Sequence, residues 1–392
     1  MRRNGYAVAM SDPISAEALA ALYARAEKTA ARGDCAVQVA VGFRGALAGF
    51  RTFGRAPQGD GVRPATDETL FAIYSVTKAI TSSAAWILLQ EGKLSLSDRV
   101  VDHVPEFGAN GKEAVTVEHL LLHTAGFPTA RLPTADWPDS RKRLAHFARW
   151  QLEWEPGSRF VYHGSSGMWV LAEIIGRLSG TDYTEFIRAR ISEPLGLADL
   201  YVGLPAAENL RAAEVVMVGE VATHAERAAS PVDAPVIDED SLGHVNLPSN
   251  RSIGSPGGGA FATAAAIAMF YQGLLADAEG SGAGIWQPEM LLDAWTPRHV
   301  ELIDPMTQQP ALRGLGVVVA GEHQKMWRGF AEACSPRSFG HMGAGGQIAW
   351  ADPESGLSFA FCTNGAERDA MRQGANGFKL SSLAAACTAA NR

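Results

Sequence analysis

The clearest helical pattern in the chain starts at Val76, repeats apolar residues at Ile80, Ala84, Ile87 and Leu88, and stops at Gly92, where glycine suits a left-handed cap. An apolar approach, Phe71-Ala72-Ile73-Tyr74, leads into it. Upstream, residues 14–31 read as an amphipathic helix with Leu19, Leu22 and Ala26 on one face. Strands are expected over 36–41 and 46–51, joined by a turn containing Gly45, followed by a Pro/Gly-rich connection over 55–64. From there to about Trp295 the pattern is mainly helical: 117–123, 141–152, 166–178, 184–191, 263–275 and 288–295.

Between roughly Asp199 and Ala260 the periodicity fades. That stretch is rich in Pro, Ala and acids, including Asp233 and Ile237-Asp238-Glu239-Asp240, and reads as an irregular surface excursion able to roof a cleft. Alternation of period two returns over 315–320, 338–341, 347–351 and 357–362. The last two are joined by Asp352-Pro353-Glu354-Ser355-Gly356, a strong hairpin signal, and a helix over 380–386 closes the chain. Strands at both ends with helices between predict an α/β plus α fold. One antiparallel sheet is built from both chain ends and flanked by helices, with a mainly helical domain inserted. The expected division is 1–66 with 296–392 for the sheet domain and 67–295 for the helical one, whose irregular part is 199–260.

Composition adds exclusions. A chain of 392 residues with 47% hydrophobic and 19% charged content can bury a full core. A net charge of −8 without a basic stripe argues against nucleic acid and anionic membrane as partners. Apolar runs such as 264–270 are far too short to span a bilayer, and the basic start of the chain lacks the hydrophobic stretch of a signal peptide. Cys35, Cys334, Cys362 and Cys387 are scattered and read as reduced thiols of a cytoplasmic protein. Nothing in the pattern fixes an oligomeric state.

The chemistry centres on Ser75-Val76-Thr77-Lys78, at the N-terminus of the strongest helix. Of the chain's lysines only Lys78 has a serine three residues before it, a spacing that returns both side chains to one helical face. A serine hydroxyl needs a neighbour that takes its proton before it can attack, and unpaired amides at a helix start suit a developing oxyanion. Tyr162, just before the helix at Ser166, is the first candidate for that neighbour, since a close ammonium favours its phenolate form; adjacent His163 is a second. His341-Met342-Gly343-Ala344-Gly345-Gly346 ends a predicted strand, and small residues there let a substrate lie along the strand edge with the Ala344 amide facing it. Two other patterns carry less. His119 and His123 have the spacing of a metal pair, but Leu120 stands where a zinc protease places its glutamate, so capping or packing is preferred. Gly254-Ser255-Pro256-Gly257-Gly258-Gly259 lacks the Gly-Lys-Ser/Thr ending of a phosphate loop and reads as a turn entering the helix at Thr263.

Together these motifs resemble the penicillin-recognising serine hydrolases, in particular the class C β-lactamase-like branch that includes family VIII carboxylesterases. Further blocks resemble that family in its order: Gly92-Lys93-Leu94-Ser95-Leu96-Ser97-Asp98, His119-Leu120-Leu121-Leu122-His123-Thr124-Ala125-Gly126-Phe127-Pro128 and Glu193-Pro194-Leu195-Gly196-Leu197. The resemblance runs from about Asp34 to Gly365. It implies Ser75 as acylated nucleophile, Lys78 and Tyr162 as the proton-transfer pair, the Ser75 and Ala344 N–H groups as oxyanion hole, Gly343 and His341 along the substrate, and neither cofactor nor metal.

Two departures stand out. Gly164 replaces the asparagine of the usual Tyr-x-Asn, which contacts the acylamide of β-lactams, and His341 replaces a lysine that would receive their carboxylate. Both favour uncharged small or medium esters as the small-molecule substrate. The alternatives are a weak β-lactamase, a D-amino-acid peptidase or amidase, an acyltransferase, or a slowly acylated penicillin-binding sensor.

Overall fold

The computed structural model describes residues 14–221, 223 and 237–389. The N-terminal dozen residues and Asp233 in the acid-rich stretch lie outside the described residues. Strands β1 (Val37–Phe43) and β2 (Ala46–Phe53) from the N-terminal part meet β3 (Val318–Val319), β4 (Phe339–Met342), β5 (Ile348–Asp352) and β6 (Leu357–Thr363) from the C-terminal part. They form one antiparallel sheet in the order β3-β4-β5-β6-β1-β2. The two chain ends join where β1 pairs β6, with Val37 opposite Thr363 and Phe43 opposite Leu357.

Both sides of β1 are buried, which the period of two explains. Val37, Val39 and Val41 point into a core shared with Leu22 and Ala26 of helix α1 (Ala16–Gly33) and with Leu380 and Ala384 of the C-terminal helix Ala370–Ala389. Ala36 and Ala40 face the other core, with Ile267 and Phe270 of Ala264–Ala278. That helix is tied to the sheet by Gln38, whose Oε1 accepts from the Ala264 N–H at 3.0 Å. The larger core also holds helix α2 (Thr77–Gln90), buried at every residue from Thr77 to Leu88. A helix hydrophobic all round belongs in an interior, and two of its hydroxyls donate to backbone, Thr81 Oγ1 to Pro256 O at 2.9 Å and Ser83 Oγ to Ile80 O at 2.8 Å, while Ser82 Oγ is buried without a partner. Against α2 packs α3 (Ser166–Ser179), ended by left-handed Gly180.

Several elements differ from the sequence pattern. Within 315–320 only Val318–Val319 pairs, because Gly316 at φ +80° and the Gly314 N–H bonded to Val317 O fold the preceding residues into a turn. The closing helix begins ten residues earlier than expected, its first turns masked by Gly374 and Gly377. The connection over 55–64 is a hairpin, Arg55–Gln58 with Gly61–Pro64. Three short strands, Phe71–Ala72, Ala260–Ala262 and Leu200–Val202, pair where no strand was expected. The described end of the irregular stretch is ordered into Glu239–Leu242 and Pro248–Ile253, and Leu242 and Val245 pack against Tyr74, next to the expected nucleophile. No helix among the described residues is long and apolar enough to cross a membrane.

Candidate active site

A single 3-10 turn, Tyr74–Val76, carries Ser75 from the strand Phe71–Ala72 onto α2. Tyr74 has φ +43°, a left-handed conformation that costs a non-glycine residue about 1 to 3 kcal/mol and persists only where its surroundings fix it. Burial of its ring and the bond from Tyr74 Oη to Leu242 O, 3.1 Å, do so. The result holds Ser75 partly exposed above a buried helix.

Lys78 is completely buried, so its side-chain nitrogen needs hydrogen-bond partners. It donates to Gly257 O at 2.7 Å and to Ser75 Oγ at 3.1 Å. Gly257 belongs to the glycine-rich segment read as a simple turn. That segment enters the strand Ala260–Ala262 before the helix, and it supplies the carbonyl that aims Lys78. A Cβ on Gly257 would stand 3.1 Å from Gly164 O and 3.4 Å from Lys78 Nζ, so a side chain there would press on the backbone and the lysine it aims. Tyr162 Oη lies 2.8 Å from Ser75 Oγ, and Lys78 Nζ is 5.0 Å from the centre of the Tyr162 ring. Ser75, Lys78 and Tyr162, 87 residues apart at the extremes, therefore converge on one hydroxyl.

His163 stands apart from this group. Its Nε2 accepts from the Phe127 N–H at 3.1 Å, so Nδ1 carries the proton and donates to Val161 O at 2.7 Å; both nitrogens are used. Burial lowers its pKa to about 4. His123 Nδ1 accepts from the His163 N–H, and His119 closes a capping box with Thr116, the capping role expected of it. Folding thus keeps His163 neutral while the unfolded chain protonates near 6.5. Stability from this residue is complete above pH 6.5 and is lost as pH falls toward 4, by about 3 kcal/mol. We expect urea unfolding to show a steeper loss between pH 7 and pH 4 in the parent than in His163→Gln.

His341 lies at the end of β4 with its ring 6.0 Å from that of Tyr162. Nδ1 meets Met342 O at 2.7 Å, while Nε2 is buried without a partner. Burial first, then the charges of Lys78 and Arg313, hold its pKa well below the usual histidine value. His341 is thus neutral at pH 7, with Nδ1–H donating and Nε2 a bare acceptor. After β4 the chain turns through Gly343, where a Cβ would come within 2.7 Å of Ile73 O, so the turn lies backbone to backbone against the approach to Ser75. The Gly343 N–H is bonded to Gln347 O and Ala344 O accepts from Gln373, whereas no acceptor among the described residues faces the Ala344 N–H. Gly164 is exposed, and a Cβ there would meet nothing within 4 Å.

Arg313 was not anticipated. Its Cζ sits 5.2 Å from the centre of the Phe160 ring and 5.6 Å from that of Tyr162, brought there by the bend before β3. Nothing within a few residues of position 313 marks it in the sequence.

A sheet closed by both chain ends, a buried helix entering under a serine, and a lysine and tyrosine on that serine define a serine hydrolase of the β-lactamase fold. A model of the Beta-lactamase family matches residues 26–384, and the chain belongs to that family. Among curated relatives, Esterase/beta-lactamase LipL of Mycobacterium tuberculosis is 26% identical over 321 residues, 74% of this chain and 68% of the relative. A penicillin-binding protein homolog from Caulobacter crescentus superposes with a TM-score of 0.79 at 26% identity, covering 96% of this chain and 99% of its own. A family VIII carboxylesterase superposes at 0.77 with 24% identity, covering 95% and 99%, a likeness of fold.

Proposed function

We propose that this protein is a serine carboxylesterase that cleaves small or medium carboxylic esters through an acyl-enzyme on Ser75. The carrying observation is Ser75 Oγ within hydrogen-bond distance of both Lys78 Nζ and Tyr162 Oη. In acylation Tyr162 takes the Ser75 proton as Oγ attacks the ester carbonyl, and hands it to the departing alcohol as the carbon–oxygen bond breaks. In deacylation the same oxygen takes a proton from water, and Ser75 recovers its hydrogen when the acid leaves. The N–H groups of Ser75 and Ala344 receive the oxyanion. No step calls on a cofactor or metal. The name of the M. tuberculosis relative supports an esterase, and it supports a β-lactamase equally. Four free, buried thiols suit a reducing compartment, and the cytoplasm is the proposed location.

The deciding experiment is steady-state hydrolysis of a p-nitrophenyl ester series beside a chromogenic cephalosporin. Ester turnover with little cephalosporin turnover supports the reading; fast cephalosporin turnover makes the protein a β-lactamase. The open space at Gly164 gives a companion prediction. Gly164→Asn supplies an amide where none stands, and the ratio of cephalosporin to ester kcat/KM rises about tenfold, the worth of one hydrogen bond.

A further inference from the structure

The chain carries a net charge of −8, yet one face of α1 is positive. Arg25, Lys28 and Arg32 follow at spacings of three and four, so their side chains leave the helix on the same side, where like charges repel. No acid stands three or four residues from any of them, and no ion pair reaches them among the described residues. The helix dipole favours Arg32, which is in the last turn, but Arg25 and Lys28 lie before that turn. All three line a cavity of about 120 Å³ between α1 and the C-terminal helix. Arg25 Nη2 and Thr29 Oγ1 both donate to Asn376 Oδ1, at 2.5 and 3.2 Å, which leaves Asn376 its N–H donors to offer, and Arg25 Nε is buried without a partner. The acid on the wall, Glu367, is spent on Arg372 at 3.4 Å, and Arg372 also reaches Asp369 at 3.4 Å. The cavity is therefore rich in donors and holds three uncompensated positive charges. A carboxylate balances one of these, whereas a tetrahedral dianion balances two and presents oxygens to several donors at once.

We propose that this cavity binds a tetrahedral dianion, phosphate or sulfate, and that its occupation steadies the turn carrying the Ala344 N–H. The link is Gln373, which shares the cavity wall with Gly345 and Gly346. Its Nε2 donates to Ala344 O at 3.1 Å, and a Cβ on Gly346 would stand 3.2 Å from its Cγ. The same turn lies against Ile73 O at Gly343 and against the Tyr74 ring at Gly345. It is thus held between the approach to Ser75 and the C-terminal helix, and an ion that draws α1 and that helix together fixes it from the second side. Gln373 is a positioning residue, acting through the Ala344 peptide. The rate effect rests on the esterase reading above; the binding does not.

The test is calorimetric titration with sodium phosphate and, separately, sodium sulfate at about pH 8, where both ions are largely dianions, with sodium chloride holding ionic strength constant. The parent binds at least one of them saturably, and the ion that binds more tightly is the one the site takes. In Lys28→Gln/Arg32→Gln, whose two side chains are exposed and leave the core untouched, binding weakens at least about tenfold, the worth of a charge-assisted hydrogen bond. Absence of saturable binding by either ion, or binding unchanged in the double variant, overturns the site. With p-nitrophenyl acetate the saturating ion raises kcat at least about twofold and leaves KM nearly unchanged. Gln373→Leu still binds the ion and loses the rise; binding without a rise in the parent overturns the coupling to the turn. Calorimetry needs no turnover, so a protein that cleaves no ester fails the esterase reading while the titrations still decide the site.

Discussion

Ser75→Ala folds like the parent and hydrolyses no ester above the background rate. The substitution removes one oxygen from a partly exposed residue, so no cavity opens in the core. Lys78 keeps its bond to Gly257 O, and the Tyr162 ring keeps Lys78 and His123 as neighbours, the latter at 4.7 Å between ring centres. What is lost is the atom that forms the acyl bond. Removing a catalytic serine hydroxyl costs about 10⁶-fold in kcat, because the remaining hydrogen bonds have no covalent step to assist. Circular dichroism checks the fold and p-nitrophenyl acetate release the turnover. Mass spectrometry adds a readout independent of rate: a slow substrate leaves an acyl adduct on the parent and none on Ser75→Ala. Retained turnover, or an adduct elsewhere, sinks the assignment.

Why this serine was legible when Arg313 was not comes down to the range of the interactions. Ser75 and Lys78 are brought together by one helical turn, so three residues of spacing carry the signal. The hairpin between β5 and β6 is equally local, and its Pro/Gly/Asp content marks it. Tyr162 needed more, a residue type of the right chemistry before a helix, within a resemblance that spans the chain. Gly257 acts through a backbone carbonyl, which every residue has, and reaches Lys78 across 179 positions. Arg313 reaches the centre only because Gly314 and Gly316 bend the chain before β3, and a charged residue beside glycines normally reads as a surface turn. Strands of two or three residues, such as Phe71–Ala72, are too short for alternation to register. Burial decided the histidines: His163 titrates in the right range as a free side chain, and packing removes both its charge and its free nitrogens.

That last result sharpens the second large effect. Tyr162→Phe lowers kcat for ester hydrolysis at least about a hundredfold, the scale of losing a positioned general base, with little change in KM. The ring remains, so its packing on His123, His341 and the two cations is retained and only the phenolic oxygen 2.8 Å from Ser75 goes. With both nitrogens of His163 engaged, no histidine stands ready to replace it. His341 is held neutral, yet its Nε2 is closed off in the protein interior, and the structure shows no bond between it and Ser75. The neighbour left on Ser75 is Lys78, whose Nζ is 3.1 Å away. Near-normal turnover in Tyr162→Phe therefore transfers the base role to Lys78, and the double variant Tyr162→Phe/Lys78→Met decides between them. If the two act as one proton relay, the double variant is no slower than the slower single one; if each works alone, the losses multiply.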